Sequence, residues 1–444
     1  MPRRSFRRLW TSSALSNTAD GVVVVGLPLL AVALTRSPFL VALVSAAATL
    51  PWLLLSLHAG ALADRHDRRR MMIAAAWTRA GVLAALAAAA WLDALSLPVL
   101  LAGALLLGAA EVFADTSAQS MVPMTVPRER LTDATGKLVA AQTVGNNFLG
   151  APAAGVLAAT GAAVTLGAPA LLYALSGLAV LGMRGRFRVE NPSTRSLRYD
   201  IAEGLRHLWN HRVLRSLAVF AGVLNFANDA YFAVFVLWIV GEGSRVGLTS
   251  AGYGVLAALL AAGAVAGSLL AERLARRAGQ VRTLITVNLV NALLLLVPVL
   301  APTAAAIAVT AVLLGATNAV SNTILVSLRQ RLVPEALMGR VHATMRLIGM
   351  GSRPLGAAAG GALGAAAGLP AVFYAAAALC VLTVLLVSRS VTARSVTAAE
   401  AEAEAAPAGS LRTAGGTARS SADGTGSAGT AGGDVRAGTP PAAR

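Results

Sequence analysis

Runs of about twenty apolar residues, set one after another along the chain and parted by short polar turns, leave few folds open. A run of that length crosses a bilayer as one helix. The runs fall at 9–34, 38–62, 71–92, 97–122, 134–160 and 164–183, then at 213–240, 249–272, 281–300, 303–328, 338–365 and 369–388. The expected fold is an all-α membrane protein of twelve transmembrane helices. Only 13% of the 444 residues are charged, where soluble domains carry about a quarter. The net charge of +17 is not a nucleic-acid footprint, because the basic residues sit in short turns rather than on a soluble face.

Those turns set the orientation. With the N-terminus inside, the inward connections hold Arg65, Arg68, Arg69 and Arg70, then Arg128, Arg130 and Lys137, then Arg273, Arg276, Arg277 and Arg282, then Arg329, Arg331 and Arg340. The outward ones hold Arg36 and Arg245. Both termini are expected in the cytoplasm and the chain in the cell membrane. The opening "MPRRSFRRLW" superficially resembles a twin-arginine signal, but Asp20 interrupts the apolar stretch and no small-residue cleavage site follows. The lone cysteine, Cys380, allows no disulfide within the chain and no cysteine-based metal site.

The chain divides into a six-helix half (1–183), a linker (184–212), a second six-helix half (213–388) and a tail (389–444). In the linker, Leu197, Ile201, Leu205 and Leu208 recur at helical spacing, which reads as an amphipathic helix on the inner surface. His207 and His211 lie one turn apart there, but Arg206 and Arg212 beside them favour a solvated face over a metal site. The tail lacks the apolar residues to form a core and is expected to be disordered and cytoplasmic.

The two halves repeat each other. "ALADRHDRR" (61–69) lies over "LLAERLARR" (269–277), pairing Asp64 with Glu272 and Arg65 with Arg273. At the same offset "NTAD" (17–20) lies over "NFAN" (225–228), and nearby "LGAPAAGVL" (149–157) lies over "LGAAAGGAL" (355–363). Repeated halves are a transporter layout. On Gly60, Asp64, Arg65, Arg68 and Arg69 in the turn after the second helix, the chain resembles the major facilitator superfamily, in its twelve-helix exporter branch of drug and siderophore efflux proteins. It departs at Asp67, where that family usually has Gly.

The resemblance implies that the turn is a conformational latch. An acid at a helix end can accept from a neighbouring helix N-terminus, and arginine can bridge it to a second carboxylate, for which Asp115 is placed by topology. Glu272 and Arg273 would form the second copy. In helix 5, Gly150, Pro152 and Gly155 resemble the exporter signature and would give close packing and a bend; Ala151 and Ala154 stand where the family has Gly.

Ionisable residues at membrane depth are costly and point to function. Helix 1 carries Asp20 with Asn17, helix 3 Arg79, helix 4 Glu111 and Asp115, helix 7 Asn225, Asn228 and Asp229, and helix 11 Arg346 and Arg353. A carboxylate facing a poorly hydrated cavity can exchange protons near neutral pH, which suits proton-coupled antiport, and Asp20 and Glu111 are the candidates. The alternative is that either acid merely pairs with Arg79. Arg346 and Arg353 share a face and either neutralise Asp229 or meet an anionic substrate. The helix-4 arginine of many family exporters is missing.

No Gly-x-x-x-x-Gly-Lys phosphate loop is present, so ATP does not drive the protein directly. No nucleophile–base pair or metal cluster is apparent, so neither an enzyme nor a cofactor is expected. The chain reads as a secondary transporter, acting as a monomer in the bilayer. It would export small amphipathic molecules against protons by alternating access, through a midplane cavity lined by helices 1, 4, 7 and 10. The alternatives are an importer or facilitator, or a receptor or scaffold that kept the fold.

Overall fold

The computed structural model describes residues 2–183, 187, 205–206, 208–333, 338–392 and 394–398. The helix read in the linker falls mostly outside these residues, as does the tail beyond residue 398. The long helices of the first half are α1 (Pro2–Leu34), α2 (Pro38–Arg65), α3 (Arg68–Trp91), α4 (Leu97–Thr125), α5 (131–160) and α6 (Ala162–Leu181). Those of the second are α7 (Arg212–Ile239), α8 (Ser250–Ala278), α9 (Gln280–Leu300), α10 (Ala304–Leu332), α11 (Met338–Ala367) and α12 (Leu369–Ser388). Ten of these are long and apolar enough to cross a membrane. The other two are α5, which is divided, and α11, which carries Arg346 and Arg353. Large apolar side chains point away from the bundle on many helices, among them Leu171 on α6, Leu269 on α8 and Leu293 on α9, as expected where lipid is the solvent.

The division of α5 has a local cause. Leu131–Thr143 and Ala151–Thr160 are α-helical, but Val144–Gly150 between them is a π-helix whose bond runs from the Ala151 N–H to the Asn146 carbonyl. Pro152 has no N–H to return to the Phe148 carbonyl, so the ladder widens by one residue just before it. The bend expected at this proline is thus a wide turn that carries Asn146 and Asn147 towards the bundle's middle.

The repeat in the sequence is a repeat in packing. Within the halves, α1 packs on α5 as α7 does on α11, α2 on α4 as α8 on α10, and α3 on α6 as α9 on α12. A Cβ on Gly150 would run into the Thr18 carbonyl oxygen, and one on Gly356 into that of Phe226. These are equivalent positions in the two copies, so the same backbone-to-backbone approach is built twice.

Between the halves, α2 meets α11 and α5 meets α8. At the end bearing the connections after α1 and α7, the contact is close. Arg36 donates from Nη1 to the Val240 carbonyl (3.0 Å) and from Nη2 to that of Glu242 (3.1 Å). A Cβ on Gly155 would lie 2.5 Å from the Ser250 carbonyl oxygen and 2.7 Å from the Gly254 Cα. At the arginine-rich end, Arg346 of α11 reaches across to α4, its Nη2 lying 2.5 Å from Asp115 Oδ2 and its Nη1 donating to Gln119 Oε1 at 3.3 Å.

The charged turn between α2 and α3 is anchored within its own half. Asp67 caps α3, accepting from the Arg69 N–H at 2.9 Å with φ −70°, an ordinary backbone that needs no glycine. Arg69 donates to the Val180 and Leu181 carbonyls at the C-terminus of α6, the end that favours a cation. Arg68 is buried and donates to the Ser120 carbonyl at 2.8 Å. The side chain of Asp64 lies outside the described ones; Arg65 is exposed, and Gly60 has open space around it.

Candidate functional site

A cavity of about 590 Å3 lies between the halves, within the size range of drug-like ligand sites. Helices 1, 4, 7 and 10 line it as expected, and α2, α5, α8 and α11 contribute as well. Its apolar wall includes Trp52, Phe232, Phe235 and Tyr253. Among the described residues, its charged lining is Asp20, Arg79, Glu111, Asp229 and Arg353.

Asp20 and Arg79 are joined in an ion pair, with the Arg79 side chain 5% exposed and that of Asp20 15%. The Tyr173 hydroxyl donates to the same Asp20 oxygen at 2.6 Å, and the guanidinium lies over the Tyr173 ring, 4.0 Å from its centre. A buried charge pair is tolerable when its geometry is good and further bonds satisfy it, and the phenol provides both a hydrogen bond and a cation–π face. Of the two roles weighed for Asp20, this geometry is that of the pairing one.

Glu111 is placed differently. It is half-buried at the cavity wall and makes no hydrogen bond or ion pair among the described residues. The charges that act on it are Asp20 of α1, Arg79 of α3, Arg353 of α11 and Asp115 one turn along α4. Both arginines are already engaged: Arg353 donates from Nε to both oxygens of Asp229 at 3.1 Å.

The two pairs are not equivalent across the repeat. Asn228 matches Asp20, and Asp229 is one residue further along. One residue turns a helix by about 100°, so Asp229 faces α11 instead of the helix equivalent to α3. On that helix, α9, Asn288 donates to Ser321. Laying "LLG" (106–108) of α4 over "LLG" (313–315) of α10 sets Asn318, a neutral side chain that also lines the cavity, against Glu111.

Three placements differ from expectation. Asn17 spends its amide on Ser13 of its own helix, 2.7 Å from the carbonyl, and does not line the cavity. Asp115 partners Arg346, not the turn. Arg68 meets α4 at Ser120 and Met124, which leaves Asp115 roughly 7 Å up the helix axis at 1.5 Å per residue and facing α11. Arg346 stacks on Trp52, 4.7 Å from the ring centre, and pairs with Asp115 rather than Asp229. Asn225 reaches across to α11, donating to the Gly349 carbonyl at 3.2 Å.

In the second copy of the turn, Thr283 of α9 donates to the Leu274 carbonyl of α8 at 3.2 Å, while the matching charged side chains Glu272 and Arg273 make no cross-helix contact among the described residues. Glu272 pairs with Arg276 one turn along α8 at 3.0 Å, their side chains 78% and 67% exposed, and Arg273 is exposed. Such a pair is worth about 0.3–0.5 kcal/mol. Glu272→Gln is therefore expected to leave the melting temperature in detergent within about 1 °C of the parent; a fall of several degrees would reveal a partner in the membrane.

Asn146, Asn147 and Tyr173 were not among the expected site residues. The signals for them are present in the sequence: a doubled Asn just before Pro152 at membrane depth, and a phenol in the apolar run of α6.

The family model described as Transmembrane secretion effector matches residues 1–413. The multidrug efflux pump Tap of Mycobacterium tuberculosis (strain ATCC 25618 / H37Rv) is 29% identical over 400 residues, covering 85% of this chain and 91% of that protein. Among solved structures, a point mutant of the nucleoside transporter NupG superposes with a TM-score of 0.71 at 12% identity, covering 87% of this chain and 100% of that one. A bacterial homolog of the human lysosomal transporter Spinster, inward-facing and occupied, gives 0.67 at 14%, covering 87% and 96%. At such identities these structures bear on the fold alone.

Proposed function

This chain belongs to the transmembrane secretion effector family of major facilitator transporters, and from that premise we propose that it exports small amphipathic molecules across the cell membrane, driven by protons entering in exchange. The single observation that carries the reading is Glu111: an acid at membrane depth, on the wall of a drug-sized cavity between two repeated halves, with no partner among the described residues. Such a group is able to hold either a proton or a substrate, which is what exchange requires. The similarity to a multidrug efflux pump supports export over import.

In this reading the arginine-rich end is cytoplasmic, in keeping with the positive-inside rule, and the two ends of the interface close in turn. The outer end closes by backbone contact at Gly155 and by Arg36 on the α7 carbonyls. The inner end closes by Asp115 and Arg346. The α2–α3 turn holds α3, α4 and α6 together so that the first half moves as one body. Each transport step then exchanges one closure for the other.

Inside-out vesicles made acid inside test this. They are expected to accumulate fluorescent amphipaths, and a protonophore should abolish the accumulation. Uptake that persists undiminished after the proton gradient is collapsed would end the proton-driven reading.

A further inference from the structure

The export reading leaves the chemical class of the cargo open, and the charges in the cavity bear on it. Three acids and two arginines line the wall among the described residues. Asp20 is held by Arg79 and Tyr173, and Asp229 by Arg353. Arg79 and Asp20 are 5% and 15% exposed, so releasing either to meet a charged cargo would strand the other away from water. Arg353 and Asp229, 37% and 22% exposed, are joined through Nε and cancel as a pair. Glu111 is the charge left over, and its counterpart in the second half, Asn318, is neutral. Phe232 and Tyr253 line the same cavity, and an aromatic face suits an organic cation; the Trp52 ring already carries Arg346.

Resting on that export reading, we propose that the cavity takes monovalent organic cations with Glu111 as their counter-ion, and that each is exchanged for one proton on the same carboxyl, so that transport moves no net charge. With the cavity open inward, the Glu111 O–H breaks, the proton leaves to water and the carboxylate takes the cation. With it open outward, the cation leaves and the carboxylate takes a proton from outside. One positive charge crosses each way, and no bond but O–H is made or broken. The groups facing Glu111 from neighbouring elements stay as they are throughout: Asp20 and Arg79 as one pair, Asp229 and Arg353 as another, and Asp115 with Arg346.

Ethidium, an aromatic monocation, is the probe. Binding to the purified full chain is read by its fluorescence, and transport is read in proteoliposomes. Glu111→Gln is expected to weaken binding at least tenfold, while Glu111→Asp, which keeps the charge, binds within a few-fold of the parent. Tetraphenylphosphonium should displace ethidium and tetraphenylborate, of the same shape and opposite charge, should not. A pH gradient alone should drive uptake. A membrane potential set by potassium and valinomycin at equal pH should not.

On the unaltered chain, ethidium binding in weakly buffered solution should release protons, approaching one per ethidium at the best pH between about 5 and 8. This last measurement stands even if the Gln variant fails to fold. Unchanged binding by Glu111→Gln, displacement by tetraphenylborate, uptake driven by potential, or binding with no proton released at any pH would each overturn the proposal. Ethidium binding that depends on Glu111 without transport under either gradient would support the cation site and sink the export reading instead.

Discussion

Arg79→Met is expected to cost about 3–5 kcal/mol of stability, the usual penalty for removing one partner of a buried ion pair, and to leave little folded protein in the membrane. The reason lies in what remains behind. Asp20 is left among apolar neighbours with the Tyr173 hydroxyl as its hydrogen-bond partner, and the phenol ring loses the cation on its face. The opposite deletion, Asp20→Asn, strands Arg79, whose Nε already has no acceptor. The double variant Asp20→Asn/Arg79→Met removes both charges together. It is expected to recover most of the loss, because replacing a whole buried pair by neutral groups is often close to neutral. Tyr173→Phe removes one hydrogen bond to a charged group and should cost about 1.5–3 kcal/mol. Thermal melting in detergent, with folded yield by size exclusion, measures all four. Additive losses in the double variant, or an Arg79→Met protein that melts like its parent, would show that the pair does not hold α1, α3 and α6 together.

That pair also marks how far the sequence could be read. Apolar length fixes the helices well: each expected run lies on a helix, because burial in lipid demands a continuous span whatever its neighbours do. Helix ends moved by several residues where capping decided them, as at Asp67, which starts α3 three residues before the expected 71. The π-helix in α5 was invisible, since hydrophobic spacing does not distinguish a ladder that widens for one turn; only Pro152 hinted at it.

Partners are harder still. Asp20 and Glu111 looked alike as acids at membrane depth, yet the first is held by two side chains and the second by none of the described ones. The difference depends on helix phase and on Tyr173, 153 residues away. Topology alone put Asp115 beside the charged turn, whereas its position along α4 hands it to Arg346. The repeat also reaches α4 and α10, where "LLG" (106–108) lies over "LLG" (313–315); this sets neutral Asn318 against Glu111 and locates the charge asymmetry of the cavity.

The same asymmetry of means separates the two ends of the interface, and it leads to the second large effect. Gly155→Val is expected to shift the protein towards an outward-open state and to lower transport about tenfold. The outer closure is a contact of backbone on backbone: any Cβ at Gly155 overlaps the Ser250 carbonyl oxygen and the Gly254 Cα, and neither can rotate aside as a side chain would. Overpacking of this kind costs about 1–3 kcal/mol. Charged against one of two alternating states, that is a shift of about 5–150-fold in their ratio.

The inner closure, by contrast, is a partly exposed ion pair, its side chains 29% and 30% accessible, and it yields to a change of charge rather than of volume. Arg346→Met should therefore favour the inward-open state, and the double variant Gly155→Val/Arg346→Met should return the ratio towards the parent while transport stays low, because both closures are weakened. Spin labels placed on either side of the outer interface, away from Gly155, report the ratio as a distance distribution. Longer outer distances in Gly155→Val, shorter again in the double variant, are the expected pattern. If Gly155→Val leaves both the distances and the transport rate unchanged, the contact of α5 with α8 does not open during transport, and the halves must part along α2 and α11 alone.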